Sequence, residues 1–425
     1  MLKIPFRLFF LWLILVPALA QTIVLRSQRM IDVRNGKVIS PASIVVSGAT
    51  ITAINPASLP AGATVVDLGN LTLAPGFIDA HVHITLLDAA RMRNDVVGVS
   101  AAEAVLNSLP NARKLLMAGF TTVRDLGQTV ATKELLGVVL ANASDAGLID
   151  APRILSSGHA LSITGGHIDP EMVTKIATGI LDLGPEMGIV DGVDAAIKAT
   201  RFQIKHGAKV IKIAATAGVM SLEGSVGAQQ LSDAEMKTII EEATRHGIKV
   251  AAHAHGTEGI IAAIRAGVAS IEHGSLLNDE AIRLMKERGV YLVPTSYLSE
   301  TLNLSALPPL VREKADFAIP RAKQSLKNAA KAGVKIALGT DAPLVPFGEN
   351  AKEFGAMVTG GLSNAEALRT GTMNAAELLG VTDRGELAVG KLADIVAIEG
   401  NPLEDIHSTE KVQFVMKGGR IYRKP

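Results

Sequence analysis

The sequence contains no cysteine, only 3% aromatic residues and no excess of either charge. The absence of cysteine excludes disulfides, thiolate metal sites and thiol nucleophiles, so any metal must be held by histidine, a carboxylate or a modified side chain. The 42 Lys and Arg residues balance the 41 Asp and Glu residues, which excludes the basic surface that nucleic-acid binding requires. We therefore expect a globular protein with a small-molecule partner, and the ten histidines become the residues to explain.

Long apolar runs are also missing, except within the first twenty residues. There, Lys3 and Arg7 precede an apolar run over residues 8–15, and Ala18-Leu19-Ala20 has the small-x-small pattern of a cleavage site. The run is shorter than the roughly 20 apolar residues that span a bilayer. The sequence thus predicts a signal peptide over residues 1–20, cut after Ala20, and a secreted or periplasmic protein without a stable membrane anchor.

Short β-branched segments, separated by Gly, Pro, Asn and Ser, occur at both ends of the chain. This pattern of short β-branched segments and turn-forming residues predicts small antiparallel strands. The N-terminal segments are residues 22–29, 37–39, 43–46 and 63–68, and the C-terminal ones are 392–399, 412–416 and 420–422.

Between these ends, strand-like apolar runs alternate with amphipathic segments of helical period, as in parallel α/β proteins. Eight runs make a closed (β/α)8 TIM barrel the economical architecture, with its chemistry at the carboxyl ends of the strands. The eight runs are residues 76–81, 120–125, 153–157, 210–214, 249–253, 268–273, 290–295 and 334–341. The helical segments include residues 101–117, 233–246, 279–288 and 311–332.

Metal-ligand residue types stand where several of these strands end. His81 and His83 close the first run, and residues two apart in a strand face the same way, so both imidazoles can reach one ion. The ends of the fifth, sixth and eighth runs add His253 with His255, His273, and Asp341. This set predicts a metal centre at the mouth of the barrel.

The fourth run carries a lysine, Lys212, inside an apolar strand. A buried ammonium is costly unless it is paired or modified, so Lys212 either forms a salt bridge or becomes an anionic ligand. Lys209 opens the same run and is the competing residue. Strand alternation places the two lysines on opposite faces.

Taken together, these motifs resemble the amidohydrolase superfamily over nearly the whole chain after residue 20. The nearest likeness is the exported branch related to imidazolonepropionase, which includes Xaa-Pro dipeptidases, carboxypeptidase-like dipeptidases and ochratoxin-hydrolysing enzymes. The matching segments are residues 73–83, 121–125, 211–213, 252–256, 271–274, 339–342 and 385–394. The resemblance implies a β-sandwich built from residues 21–73 and 382–425 around a metal-dependent hydrolase barrel over residues 74–381.

The resemblance also implies a site with two divalent metal ions, with Zn²⁺ as the expected metal, and a homo-oligomeric enzyme. His81, His83 and Asp341 would hold one ion, His253 and His273 the other, and an N6-carboxylated Lys212 would bridge them together with a hydroxide. Asp341 would take the proton of the attacking water and pass it to the leaving amine. The family pattern, a lysine between two aliphatic residues, favours Lys212 over Lys209.

The implied activity is hydrolysis of the amide bond of a dipeptide or N-acyl amino acid, ochratoxin-type amides included. His255, His167 and Tyr297 are the expected substrate contacts, with an exchange of roles between His253 and His255 as an alternative and Arg124 as a further partner for a carboxylate. Residues 217–224 depart from the pattern of the Xaa-Pro enzymes. The alternative activity is that of a one-metal deaminase or cyclic-amide hydrolase, although Gly256 stands where such deaminases carry a catalytic Glu. The third hypothesis is a non-catalytic protein on the same barrel.

Overall fold

The computed structural model describes residues 22–86, 96–128, 130–174, 180–223 and 225–425. The predicted signal peptide over residues 1–20 lies outside the described residues, as does Gly224. Export and cleavage after Ala20 therefore stay predictions. Among the described residues, no helix combines the length and the apolar character that crossing a bilayer demands.

Seven strands open the described chain, and the predicted β texture is confirmed there. The strands are β1 (Thr22–Ser27), β2 (Arg29–Asp32), β3 (Lys37–Ile39), β4 (Ala42–Ser47), β5 (Thr50–Ile54), β6 (Thr64–Asp67) and β7 (Thr72–Pro75). Three of them, β2, β5 and β7, were not expected from the sequence. Strand β1 is antiparallel to β4, as expected, but parallel to β6, within a four-stranded sheet of order β5-β4-β1-β6.

The central part of the chain alternates strands with helices, and all of its ladders are parallel. The strands are β8 (Phe77–Val82), β9 (Phe120–Asp125), β10 (Arg153–Ser156), β11 (Ile211–Ala214), β12 (Val250–Ala254), β13 (Ser270–His273) and β14 (Tyr291–Val293). The first three form a sheet of order β10-β9-β8, and the other four form a sheet of order β11-β12-β13-β14. Seven of the eight expected runs are thus strands.

The eighth run, residues 334–341, contains no assigned strand, which differs from the expectation. Single parallel bridges connect it to its neighbours, Ile336 to Leu292 of β14 and Ala342 to Val82 of β8, and a third bridge joins Leu161 to Ile213 of β11. The run ends at Asp341, whose φ of 59° lies outside the extended region. The hydrogen-bonded ladders therefore form two parallel sheets joined by bridges.

Helices pack around these parallel sheets, and the expected helical segments are confirmed. Capping boxes at Ser100 and Ser232 begin two of them, and Gly289 and Gly333 end two others in the left-handed conformation that glycine tolerates. The helices are α1 (Ala101–Met117), α2 (Leu136–Asp145), α3 (Pro170–Thr174), α4 (Val193–Lys205), α5 (Asp233–Arg245), α6 (Thr257–Ala266), α7 (Asp279–Arg288), α8 (Leu298–Thr301), α9 (Pro309–Ala332), α10 (Lys352–Thr359), α11 (Asn364–Arg369) and α12 (Ala375–Leu379).

Both ends of the described chain meet in one sheet. The last strands, β15 (Ile395–Ile398), β16 (Val412–Lys417) and β17 (Arg420–Arg423), join N-terminal strands in the order β17-β16-β15-β7-β2-β3. Leu25, Leu73 and Phe414, from both ends, belong to one buried apolar cluster. An ion pair of 2.5 Å between Arg153 of β10 and Asp394 connects the C-terminal segment to the central sheets.

Candidate metal centre and active-site cavity

Two histidines at the end of β8, His81 and His83, contact the carboxylate of Asp341. Oδ1 of Asp341 lies 3.2 Å from Nε2 of His83 and 3.4 Å from Nε2 of His81. Nε2 of His81 is also 3.4 Å from Nζ of Lys212 in β11. The structure thus brings together groups that are up to 260 positions apart in the sequence, as the strand-end pattern predicts.

The second nitrogen of His81 is held by a buried ion pair. Nδ1 donates to Glu272 Oε2 at 2.9 Å, and Glu272 Oε1 accepts from Arg124 Nη2 at 2.8 Å. Arg124 also donates to Ser270 Oγ at 3.1 Å and to the carbonyl of Ala80 at 2.6 Å. Because a carboxylate only accepts hydrogen bonds, neutral His81 carries its proton on Nδ1 and keeps the Nε2 lone pair for the cluster.

Asp341 is fitted to remain ionised in this setting. Burial acts to raise the pKa of its carboxyl, but the neighbouring His81, the hydrogen bond with His83 and the Lys212 ammonium outweigh burial and hold the pKa below its usual value. Backbone conformation marks the same region, because His273, Thr295 and Asp341 have φ values of 69°, 50° and 59°. Left-handed conformations of such residues are strained and concentrate at functional sites.

A second group consists of three buried imidazoles, those of His253, His255 and His273. Nδ1 of His255 is 2.8 Å from Ser275 Oγ, and Nδ1 of His273 is 2.8 Å from Thr295 Oγ1. The Thr295 hydroxyl donates to the carbonyl of Pro294, so it accepts from His273 and leaves Nε2 of that ring as a lone-pair donor. Nε2 of His253 is buried and has no hydrogen-bond partner among the described residues.

These residues fit a metal centre by their chemistry as well as by their positions. One ligand atom from each of His253, His255 and His273 lies within 4.8 Å of the others, and the same holds for His81, His273 and Asp341. Burial holds the pKa values of His81, His253, His255 and His273 well below the ordinary histidine value. Neutral imidazole is the form that binds a metal, and an unpartnered buried nitrogen such as Nε2 of His253 otherwise costs free energy.

Lys212, and not Lys209, lies in this cluster. Its side chain is 2% exposed, whereas Lys209 is exposed. Burial lowers the pKa of the Lys212 ammonium to about 8. One lysine is buried and the other exposed, as expected for side chains on opposite faces, and the buried one is the lysine that the family pattern favours.

The cluster lies in a cavity of about 220 Å³. The cavity is lined by the imidazoles, Lys212 and Asp341, and also by many apolar side chains. The apolar lining includes side chains of α8, the residue after it and α9, which are Leu298, Leu302, Ala315, Ala318, Ile319 and Ala322.

Only some of the residues expected to contact the substrate line the cavity. His167 and His255 line the cavity. Tyr297 is not among the lining residues, and its ring lies 5.6 Å from Nζ of Lys352. Arg124 binds Glu272 with its guanidinium, so it is a structural ion-pair partner and is not free to bind a substrate carboxylate.

Sequence reasoning missed Glu272 as the partner of His81. Strand alternation places neighbouring residues Glu272 and His273 on opposite faces, but both side chains contact His81. The reason is the positive φ of His273, which breaks the alternation at the end of the strand. The only sequence signal was the charged residue itself, inside the apolar run of β13.

Comparisons with known proteins show which sequences and structures this chain resembles. The model of the amidohydrolase family matches residues 72–422. Ochratoxinase from Aspergillus niger is 37% identical over 375 residues, which cover 83% of this chain and 76% of the relative. The crystal structure of that A. niger enzyme superposes with a TM-score of 0.83 at 32% identity over 96% of each chain. The crystal structure of a Xaa-Pro dipeptidase with methionine bound in its active site superposes with a TM-score of 0.88 at 36% identity, covering 95% of this chain and all of that one.

Proposed function

Because the chain belongs to the amidohydrolase family and is a hydrolase of amide bonds, we propose that its substrate is a dipeptide or an N-acyl amino acid, ochratoxin-type amides included. The observation that carries this proposal is the cavity, whose lining combines a His and Asp cluster with many apolar side chains. An amide with an apolar substituent fits such a cavity, since burial of the substituent supplies affinity and the polar cluster supplies the chemistry. The names of the relatives, an ochratoxinase and a Xaa-Pro dipeptidase, support the same class.

The proposal includes two divalent metal ions, with Zn²⁺ as the expected metal. His81, His83 and Asp341 would hold one ion. His253 and His273 would hold the other, with the nearby His255 as the alternative ligand from β12. When bound, divalent ions lower the pKa of a water and polarise a carbonyl oxygen. Support comes from two donor triplets that share His273.

Lys212 is proposed as the bridging residue, carboxylated on Nζ. Its position 3.4 Å from Nε2 of His81, together with its burial, supports this role. Carboxylation turns an ammonium, which repels a nearby cation, into an anion with two oxygen ligands, and it removes the cost of a buried positive charge.

Asp341 is proposed as the general base and acid. An aspartate carboxylate is ionised at neutral pH, so Asp341 accepts a proton from the attacking water and then donates it to the leaving amine.

The closed (β/α)8 barrel over residues 74–381 is part of this proposal, as is the β-sandwich of residues 21–73 and 382–425. Three parallel bridges between successive segments support the barrel, and the six-stranded sheet shared by both ends supports the sandwich. A closed barrel would place every proposed ligand at one rim.

Metal analysis combined with a substrate screen tests the proposal. We expect two metal ions per chain and cleavage of dipeptides or N-acyl amino acids by the wild-type protein. Lys212→Ala should lose metal and activity, and short-chain carboxylic acids should restore part of both because they can replace the carbamate. Full activity with two metals per chain in Lys212→Ala would contradict the bridging role. Release of ammonia from a heterocycle without amide cleavage would overturn the proposed substrate class.

A further inference from the structure

Two side chains of the cavity lining, His167 and Ser221, form a hydrogen-bonded relay with Glu223. Nδ1 of His167 lies 2.6 Å from Oγ of Ser221, and Oγ of Ser221 donates to Oε1 of Glu223. The same Glu223 oxygen accepts the backbone N–H of Gly218 at 3.2 Å. The relay links the loop after β10, which carries His167, to the loop after β11.

The direction of the hydrogen bonds in the relay is fixed. A hydroxyl has one proton, and Ser221 gives that proton to the carboxylate of Glu223, so Ser221 must accept from His167. Burial acts to raise the pKa of the Glu223 carboxyl, but the interactions with His167 and Ser221 outweigh it and lower the pKa to about 2. Glu223 therefore stays an acceptor, and neutral His167 carries its proton on Nδ1 with a lone pair on Nε2.

The ring of His167 is clamped on both faces. One face stacks on His253 with ring centroids 4.1 Å apart. The other face lies against Gly218, where a Cβ atom would come within 2.1 Å of Cε1 of the ring. Any side chain at position 218 would displace the imidazole.

The loop that carries the relay is itself anchored by Lys314 of α9. Nζ of Lys314 donates to the carbonyls of Gly218, Ser221 and Glu223 at 2.9, 2.7 and 2.9 Å. Lys314 is 4% exposed, and a buried ammonium with three carbonyl acceptors is a rigid support. His167 is thus held in one orientation, and since His167 lines the cavity, its Nε2 lone pair is available to a bound molecule.

We propose that the Glu223–Ser221–His167 relay makes Nε2 of His167 a hydrogen-bond acceptor for an N–H group of the substrate, which makes His167 a specificity-determining residue. This inference rests on the proposed amide hydrolysis and names the chemical group that the cavity prefers. The N–H can be the α-ammonium of a dipeptide or the N–H of the scissile amide. Substrates that lack both groups cannot form this hydrogen bond, so the relay does not strengthen their binding.

Four compounds, tested on the metal-loaded enzyme, distinguish the two N–H groups that His167 could bind. Methionyl-leucine has both N–H groups, methionyl-proline has only the ammonium, N-acetylleucine has only the amide N–H, and N-acetylproline has neither. For each compound, kcat/KM is measured where it is cleaved and the dissociation constant where it is not. The variant is Ser221→Ala, which frees the imidazole, and Ser225→Ala in the same loop is the matched control because Ser225 is exposed.

The expected result is a selective loss. In Ser221→Ala, compounds that use the relay should weaken by roughly tenfold, the value of one well-oriented hydrogen bond, while N-acetylproline changes less than about threefold. Methionyl-proline and N-acetylleucine show which N–H is bound. Gly218→Ala should give the same pattern by displacing the ring, and the metal content of both variants should remain that of the wild type, as should the substrate pattern of Ser225→Ala.

An equal loss for all four compounds, or no loss for any of them, overturns the relay, as does a loss of metal in Ser221→Ala. A wild-type enzyme that cleaves none of the four contradicts the proposed function, but the four dissociation constants still test the relay. A protein that neither cleaves nor binds any of them overturns both.

Discussion

Removing the guanidinium of Arg124 should destabilise the protein far more than removing an exposed one. Arg124 is 2% exposed and Glu272 is fully buried. In Arg124→Met, the Glu272 carboxylate keeps its contacts with Ser270 and with Nδ1 of His81 but loses the cation that compensates its charge. The carbonyl of Ala80 also loses the donor that Nε of Arg124 provides.

The magnitude follows from the burial of the pair. Breaking a buried ion pair by removing one partner costs about 3–5 kcal/mol, because the remaining charge stays desolvated. An exposed pair such as Arg283 and Glu287, at 2.8 Å with both side chains more than half exposed, contributes at most about 1 kcal/mol. Arg283→Met is therefore the matched control.

Unfolding by heat and by urea is measured on the metal-free proteins, so that bound metal does not mask the difference. Arg124→Met should lower the unfolding midpoint clearly below that of Arg283→Met. The double variant Arg124→Met/Glu272→Gln should recover part of the loss, since it leaves no isolated charge. If Arg124→Met unfolds like the control, or if the double variant loses the sum of the two single effects, the buried charge pair does not have the role assigned to it.

Two further predictions concern pH and processing. Burial raises the pKa of Glu353 to about 8, so relative to an unfolded Glu its contribution to stability is complete at low pH and is lost as pH rises from about 4.5 to 8. Glu353→Gln should therefore destabilise the protein more at pH 5 than at pH 8 in thermal unfolding, and a cost that is constant with pH would contradict this assignment. Trp12 is the only tryptophan, so after removal of residues 1–20 the exported protein should show tyrosine-like fluorescence and an N-terminus at Gln21 by mass spectrometry. Tryptophan emission from the purified exported protein would show that the segment is retained.

Much of the fold could be predicted because periodicity and capping are local. Helices α1 and α7 span residues 101–117 and 279–288, the segments that the apolar spacing indicates. The eighth run could not be predicted as irregular, because its geometry depends on two backbone N–H groups, those of Thr340 and Asp341, donating to the single carbonyl of His81. That contact joins segments that are distant in sequence.

Part of the candidate site could likewise be predicted from the sequence, and part could not. Strand-end positions identified His81, His83, His253, His273 and Asp341, and a lysine inside an apolar strand identified Lys212. The structure brings these residues together, while their roles as ligands remain a prediction. Tyr297 was expected in the cavity from its position after β14. Its ring lies beside Lys352 instead and is not among the side chains that line the cavity.

The sequence by itself determined the family, the alternation of strands and helices, and the residue types available to the site, because these depend on composition and on short-range spacing. Only the tertiary structure decided how those residues are oriented. The proton positions of His81, His273 and His167 follow from Glu272, Thr295 and Ser221, which come from other segments of the chain. Hydrogen-bond direction depends on which groups meet in three dimensions, and no local pattern encodes that meeting.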